Sequence, residues 1–244
     1  MFTSLIDLML PASCALCRRP SGPLCADCRR SVGDCLHPSP LRAVPSPCPP
    51  GMPVCWVSGE ASGALRAAIT AYKDEDRRDL VRPLAGWLAP ALSVAVASSG
   101  DARAALAGRG LVVVPVTGSP RARRRRGDVP LVPLVRSAVR SALWGRVAVA
   151  PVLAPTRTTR DQSTLDAGER AANLAGAMEV RSRGRPVVAG SVCLVVDDLM
   201  TTGATFTEAA RALREAGASE VIAAALGATR RRAEHAQQLA SPIS

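Results

Sequence analysis

Val192-Cys193-Leu194-Val195-Val196-Asp197-Asp198-Leu199-Met200-Thr201-Thr202-Gly203-Ala204-Thr205 is the stretch whose reading decides the fold. Val192 to Val196 is a short apolar run of the kind that forms a fully buried strand. Phe206, Ala209, Ala210 and Leu213 then recur at helical spacing before Gly217 closes the helix, and a second apolar run, Val221 to Leu226, follows at once. Strand, tight turn, helix and strand make a βαβ unit, whose crossover is almost always right-handed and whose ligands sit beyond the carboxyl ends of the strands. The turn from Leu199 to Thr205 is therefore expected where ligands bind. The fold class is α/β, a mainly parallel sheet flanked by helices from about Val54 onward.

The residues of that turn define a chemistry. Gly203 lets the backbone approach a ligand, and helix-start N–H groups together with the hydroxyls of Thr201, Thr202 and Thr205 can surround a phosphate. Asp197 and Asp198 cannot serve that phosphate, because ionised carboxylates only accept hydrogen bonds; a vicinal diol is their natural partner, a divalent cation the second. A 5-phosphoribosyl group satisfies both halves. An ordinary N-cap would explain one polar residue but not two acids, three threonines and a glycine together. No Lys follows the glycine, so this is not a Walker A loop, nor is it a GxGxxG turn. The stretch resembles the phosphoribosyl pyrophosphate (PRPP) motif of type I phosphoribosyltransferases. That likeness implies that Asp197 and Asp198 contact the ribose diol as catalytic residues, and that Leu199, Met200, Thr201, Thr202, Gly203, Ala204 and Thr205 hold the 5-phosphate, with Mg²⁺ accompanying PRPP.

The 244 residues, 48% hydrophobic, suffice for a real core. No run of about 18 uninterrupted apolar residues is present, and the longest apolar-rich helix candidate, Leu84 to Ala97, is short and Ala-rich, so no membrane span is expected. Met1 to Leu10 reads as a short amphipathic helix without a basic start, and the expected compartment is the reducing cytoplasm. A net charge of +11 favours polyanions, though nearly all of it is Arg, with Lys73 the single lysine, which is also what a coding bias gives. Phe2, Trp56, Tyr72, Trp87, Trp144 and Phe206 are too few aromatics for an extended base-stacking platform.

Cys14-Ala15-Leu16-Cys17 and Cys25-Ala26-Asp27-Cys28 form two CxxC knuckles that can place four thiolates around one structural Zn²⁺. The turn-forming segment between them is too small to hold shape unstapled. Disulfides are the competing reading, disfavoured by a reducing compartment. Cys35, Cys48 and Cys55 lack the CxxC spacing, although one of them could replace a ligand, and Cys193 reads as a small core residue.

Residues 1–35 are thus read as an amphipathic start plus a four-cysteine zinc finger. Residues 36–53, with Pro38, Pro40, Pro45, Pro47, Pro49, Pro50 and Pro53, read as a stiff linker excluding helix and sheet, and 54–244 as the main domain. Val54 to Val57 is an expected strand and Ala61 to Tyr72 an expected helix. The charged run from Lys73 to Asp79 reads by default as a solvated helix junction, with a catalytic Lys73 as the minority view.

Leu111 to Val116 is a further strand, leading into Thr117, Gly118, Ser119 and the arginines Arg121 and Arg123 to Arg126, a second anion site or a solvated basic loop. Val147 to Leu153 is read as one more strand. The type I likeness implies that Thr117, Gly118, Ser119 and Arg121 bind pyrophosphate. It also implies that the segment with Arg160 and Gln162 is a hood closing over the reacting centre; the alternative is a decorated surface loop.

Taken together, the cysteine module, Tyr72-Lys73, the Val-Pro-Val strand before the arginines, the Arg160, Gln162, Leu165, Arg170, Asn173 pattern and the PRPP motif resemble the ComF family, which includes GntX-like proteins. The likeness spans almost the whole chain and implies a type I phosphoribosyltransferase fold with an N-terminal zinc finger and a link to competence and DNA uptake. Two departures stand out: relatives carry a second cysteine pair in the finger, and the family's Arg-Gly-aromatic-Asx-Gln stretch is Arg126-Gly127-Asp128-Val129 here. Phosphoribosyl transfer from Mg²⁺-PRPP is the function expected. The rival is a non-catalytic PRPP sensor that binds single-stranded DNA among DNA-uptake proteins.

Overall fold

The computed structural model describes residues 13–108, 110–116, 129–143, 145–156 and 176–229. In chain order the elements are α1 (Ala26–Gly33), β1 (Leu36–Ala43), β2 (Cys55–Glu60), α2 (Gly63–Asp74), α3 (Val81–Ala97), α4 (Gly100–Ala107), β3 (Leu111–Pro115), α5 (Leu131–Ala142), β4 (Val147–Val149), β5 (Leu153–Pro155), β6 (Met178–Val180), α6 (Arg185–Val188), β7 (Val192–Met200), α7 (Ala204–Glu215) and β8 (Glu220–Ala228). Six strands form one sheet in the order β1-β2-β8-β7-β3-β4, parallel throughout except for β1 against β2. The apolar runs of β3, β7 and β8 are buried almost end to end, as strands covered on both faces must be.

From β3 the chain moves outward to β4, and from β7 it moves the other way to β8. Their hydrogen-bonded carboxyl ends, with Pro115 opposite Val196, therefore form the switch point where open α/β sheets receive ligands. Right-handed crossovers in opposite directions put α5 and α7 on opposite faces. Helix α3 packs against α5, β8 and β2 on the first face. Arg78–Ala97 is long and apolar enough to cross a membrane by length and composition, with a mean hydropathy of 1.5, but half of it is buried in this packing. Leu84, Leu88, Ala91, Leu92 and Ala95 are fully covered, which is what a core helix requires.

Helix α2 lies across the carboxyl edge of the sheet. At its start the Ala61 N–H donates to Ala228 O at 2.7 Å, and a Cβ on Gly227 would meet Leu65 at 3.3 Å. At its other end Lys73 reaches Asp198 on β7.

Three expectations are corrected. Residues 36–43 of the supposed linker are a strand, β1, on the sheet edge. Its prolines Pro38 and Pro40 fall where the ladder is irregular, between Leu36 and Leu41. An edge strand needs hydrogen bonds on one side only, and a bulge releases even those, so proline is tolerated there. The rest of the stretch packs rather than links: Gly51 O accepts from Arg214 Nη1 at 2.8 Å, and Pro45 is buried. The single strand expected over Val147 to Leu153 is two strands in different sheets, because Pro151 interrupts it; β5 pairs with β6 instead. Finally, β7 runs on through both aspartates to Met200, so they lie in the strand ahead of the turn.

The cysteine module is seated on the same body. Cys14, Ala15, Leu24 and Val32 are buried in the apolar cluster that includes the sheet, and α1 packs on α2. Arg77 Nη2 donates to Ser13 O at 2.7 Å, and Arg18 pairs with Glu75 at 2.5 Å.

Candidate functional site

Pairing with β8 carries β7 past the acids, with Asp197 opposite Ala225 and Met200 opposite Ala228. The backbone of both acids is thereby fixed by the sheet. Each carboxylate is turned along the chain: Asp198 N–H donates to Asp197 Oδ1 at 2.9 Å, and Leu199 N–H donates to Asp198 Oδ1 at 2.8 Å. The remaining oxygen of Asp198, Oδ2, lies 2.6 Å from Lys73 Nζ. Asp198 is 6% exposed, whereas the Lys73 side chain is 41% exposed.

The charges are unequal in consequence. Burial and the neighbouring Asp198 carboxylate push Asp197 well above the usual carboxylate range, against the pull of Lys73. Burial pulls the Lys73 ammonium down, but Asp198 and then Asp197 outweigh it and hold it above its ordinary value. Lys73 and Asp198 face a cleft whose other walls are Ile69, Tyr72, Leu84, Leu131 and Leu134.

Beyond Met200 the chain turns. Thr201 is exposed and Thr202 buried, and Gly203 adopts φ +76°, the left-handed region open to glycine. Ala204 N–H donates to Thr202 Oγ1 at 3.3 Å, and Thr207 Oγ1 donates to Gly203 O at 3.1 Å, which fixes the start of α7. Twelve residues of α7 point their N-terminus at this turn. Two carboxylates, exposed and half-buried hydroxyls and a helix start thus sit together at the switch point.

Residues 129–242 match the family model of the phosphoribosyl transferase domain. The chain is also 56% identical over 36 residues to ribose-phosphate pyrophosphokinase 1 of Listeria monocytogenes and of Listeria innocua, and to ribose-phosphate pyrophosphokinase of Listeria ivanovii. That stretch is 15% of this chain, and the chain spans only 11% of the length of the curated relatives it matches.

Two loop stems flank this region, one beside the acids and the other against α7. Val116 N–H donates to Val196 O at 2.9 Å, so the chain leaves β3 next to Asp197. Thr117, Gly118, Ser119 and Arg121 follow, outside the described residues. The ends of the segment expected to be a hood are closed on each other, with Thr156 N–H on Ala177 O at 2.9 Å and Thr156 Oγ1 on Gly176 O at 2.6 Å. Arg160 and Gln162 lie between them, likewise outside the described residues, as does the expected amphipathic helix Met1 to Leu10. This stem is tied to α7: Met178 N–H donates to Glu208 Oε1 at 2.8 Å, and Arg211 bridges Glu208 and Met178 O at 2.7 Å each. Burial alone would raise the Glu208 carboxyl, but Arg211 and the Met178 amide hold it below its usual value.

Cys14, Cys17, Cys25 and Cys28 come together, their sulfurs all within 4.8 Å of one another. Cys17 and Cys25 Sγ are 3.6 Å apart, and all four are free thiols. Tetrahedral Zn–S bonds of about 2.3 Å place sulfurs roughly 3.8 Å apart, so the donor set and spacing fit zinc. Burial raises the Cys14 thiol, but backbone N–H groups of Cys17, Cys25 and Leu16 bring it to about 6, while burial and then the neighbouring sulfurs push Cys28 up to about 12. Cys35 lies elsewhere, against Ser31 and Ser62 carbonyls.

The solvated junction expected by default gives way at Lys73, held until here only as the minority view, since its ammonium sits on Asp198. The signal available was its standing as the single lysine of the chain. The anchoring pair Glu208 and Arg211 was missed, although their i, i+3 spacing was visible.

Proposed function

We propose that the protein binds PRPP with Mg²⁺ at the carboxyl ends of β3 and β7 and transfers the 5-phosphoribosyl group. The observation that carries this reading is the placement of Asp197 and Asp198 on the sheet, directly ahead of the Thr201–Gly203 turn and the start of α7. The turn and helix start are suited to a phosphate, and the paired carboxylates to a diol one ribose ring away. Paired carboxylate oxygens also suit the hard, oxygen-seeking Mg²⁺, which when bound would offset charge on a diphosphate.

In this reading the carboxylates orient the ribose and favour the positive charge that develops at C1. The C1–O bond to diphosphate breaks, a bond from C1 to the acceptor forms, and diphosphate leaves. The exit of β3 beside Asp197, where Val116 N–H donates to Val196 O, supports a diphosphate role for the residues that follow, and a hood would exclude water from the reacting centre.

Calorimetry with PRPP, with and without Mg²⁺, joined to an assay for diphosphate release, tests it. Binding that needs Mg²⁺ and is lost in both Asp197→Asn and Asp198→Asn is the expected result; PRPP binding unaffected by either substitution rejects the site. The link to DNA uptake is supported by the ComF resemblance and by the net charge of +11. Retention of single-stranded DNA at low salt, lost steeply as salt rises, is its expected signature.

A further inference from the structure

The pairing of Lys73 with Asp198 leaves the acidic site closed from within. Asp198 Oδ1 already accepts the Leu199 N–H, and Oδ2 carries the Lys73 ammonium. A ribose hydroxyl can reach Oδ2 only if the ammonium withdraws or shares it. The two partners differ in freedom: Asp198 is on a paired strand and 6% exposed, whereas Lys73 is near the end of α2 on a flexible stem that is 41% exposed. Lysine is the partner that moves. Around it the cleft walls Ile69, Leu84, Leu131 and Leu134 cannot accept its protons, the Tyr72 hydroxyl donates to Pro130 O, and Asp197 and Asp74 are the other carboxylates that act on it.

Once displaced from Asp198, the ammonium is drawn to a further anion, and the ligand class proposed above brings one. The 2′ carbon of a ribose whose hydroxyls meet Asp198 is bonded to C1, and C1 carries the diphosphate. A cation that starts beside Asp198 stands one sugar carbon from the leaving oxygen. We propose that Lys73 exchanges Asp198 for the diphosphate of the bound ligand, serving as the cation that recognises the leaving group and distinguishes PRPP from ribose 5-phosphate. This proposal rests on the phosphoribosyl reading.

The test compares two probes on the full chain, Mg²⁺-PRPP and ribose 5-phosphate, by calorimetry, with Lys73→Gln and Lys73→Arg beside the unaltered protein. A charge-assisted contact is worth about 1.5–3 kcal/mol, so Lys73→Gln should weaken PRPP binding by roughly 10- to 100-fold. Ribose 5-phosphate, which lacks the diphosphate, should bind Lys73→Gln as well as it binds the unaltered protein or better, because no ammonium competes for Oδ2. Lys73→Arg should recover part of the PRPP affinity. Equal losses for both probes would mean that Lys73 merely holds Asp198 in place, and would overturn the proposal; so would unchanged PRPP binding in Lys73→Gln. If the unaltered protein bound neither probe, the phosphoribosyl reading itself would fall.

Discussion

The thioether of Met52 occupies the place where a side chain on Gly203 would stand: a Cβ there would lie 2.6 Å from Met52 Sδ and 3.0 Å from Pro45 Cγ. The stretch expected to be a linker is thus packed on the Thr201–Gly203 turn, and beside Met52 the carbonyl of Gly51 accepts from Arg214 of α7.

Gly203→Ala therefore meets two separate penalties. The left-handed backbone costs about 1–2 kcal/mol for a residue with a Cβ, and overpacking against Met52 adds about 1–3 kcal/mol. Met52→Ala in the same chain should remove the second penalty and leave the first. Denaturant unfolding of the two single variants and the double variant checks this; strict additivity would contradict the contact.

Asp197→Asn should stabilise the protein while abolishing ligand binding. The folded-state pKa of Asp197 is raised, so ionising it disfavours the fold: its destabilisation is absent below the unfolded value near 3.9 and grows as pH rises toward the folded value. Thermal unfolding at neutral pH should show a higher Tm for Asp197→Asn, with the difference vanishing below about pH 4. The same shift requires that binding a cation or diol to ionised Asp197 release a proton, so affinity should increase with pH across that window.

The anchor between α7 and the β5–β6 stem is testable through Arg211→Ala. It strips Glu208, 5% exposed, of its cation. Breaking a buried pair costs about 3–5 kcal/mol; because Arg211 is 35% exposed, we expect about 1–3 kcal/mol. The depressed Glu208 pKa makes this stabilisation present above the unfolded value near 4.3 and lost as pH falls through the folded one, so the variant and the parent should converge in acid. Hydrogen exchange at the Met178 amide, which donates to Glu208, should accelerate in the variant.

Metal analysis should find one zinc per chain, and Cys25→Ser should lower it. With Cys14 at about 6 and Cys28 at about 12, uptake at pH 7 must expel protons from the cluster, so zinc affinity should fall as the solution is acidified. Since the module docks on the segment after α2 through Arg77 and Ser13, zinc removal should also lower the Tm of the whole chain in one transition. Two separate transitions would show the module to be an independent unit.

Much of the fold was readable because it is local. The βαβ unit from Val192 to Ala228 lies in consecutive residues, and its apolar runs, helical spacing and glycines each report a backbone state that nearest neighbours impose. The CxxC pairs were readable for the same reason: two knuckles of fixed span meet in a short loop. The same residue-by-residue logic failed for Leu36–Ala43, since proline density says what a segment cannot donate and not whether its neighbour needs a donor.

By itself, the sequence determined which residues are the candidates for the chemistry: the two aspartates, the threonines and Gly203 of one turn, and the four cysteines. Only the tertiary structure decided that β7 holds both acids in a ladder with β8, that Met52 lies on Gly203, and that Lys73 closes Asp198 from a helix crossing the sheet edge. Strand length, close approach and ion pairing between distant segments depend on what stands opposite once the chain has packed, and no periodicity along one segment records its partner.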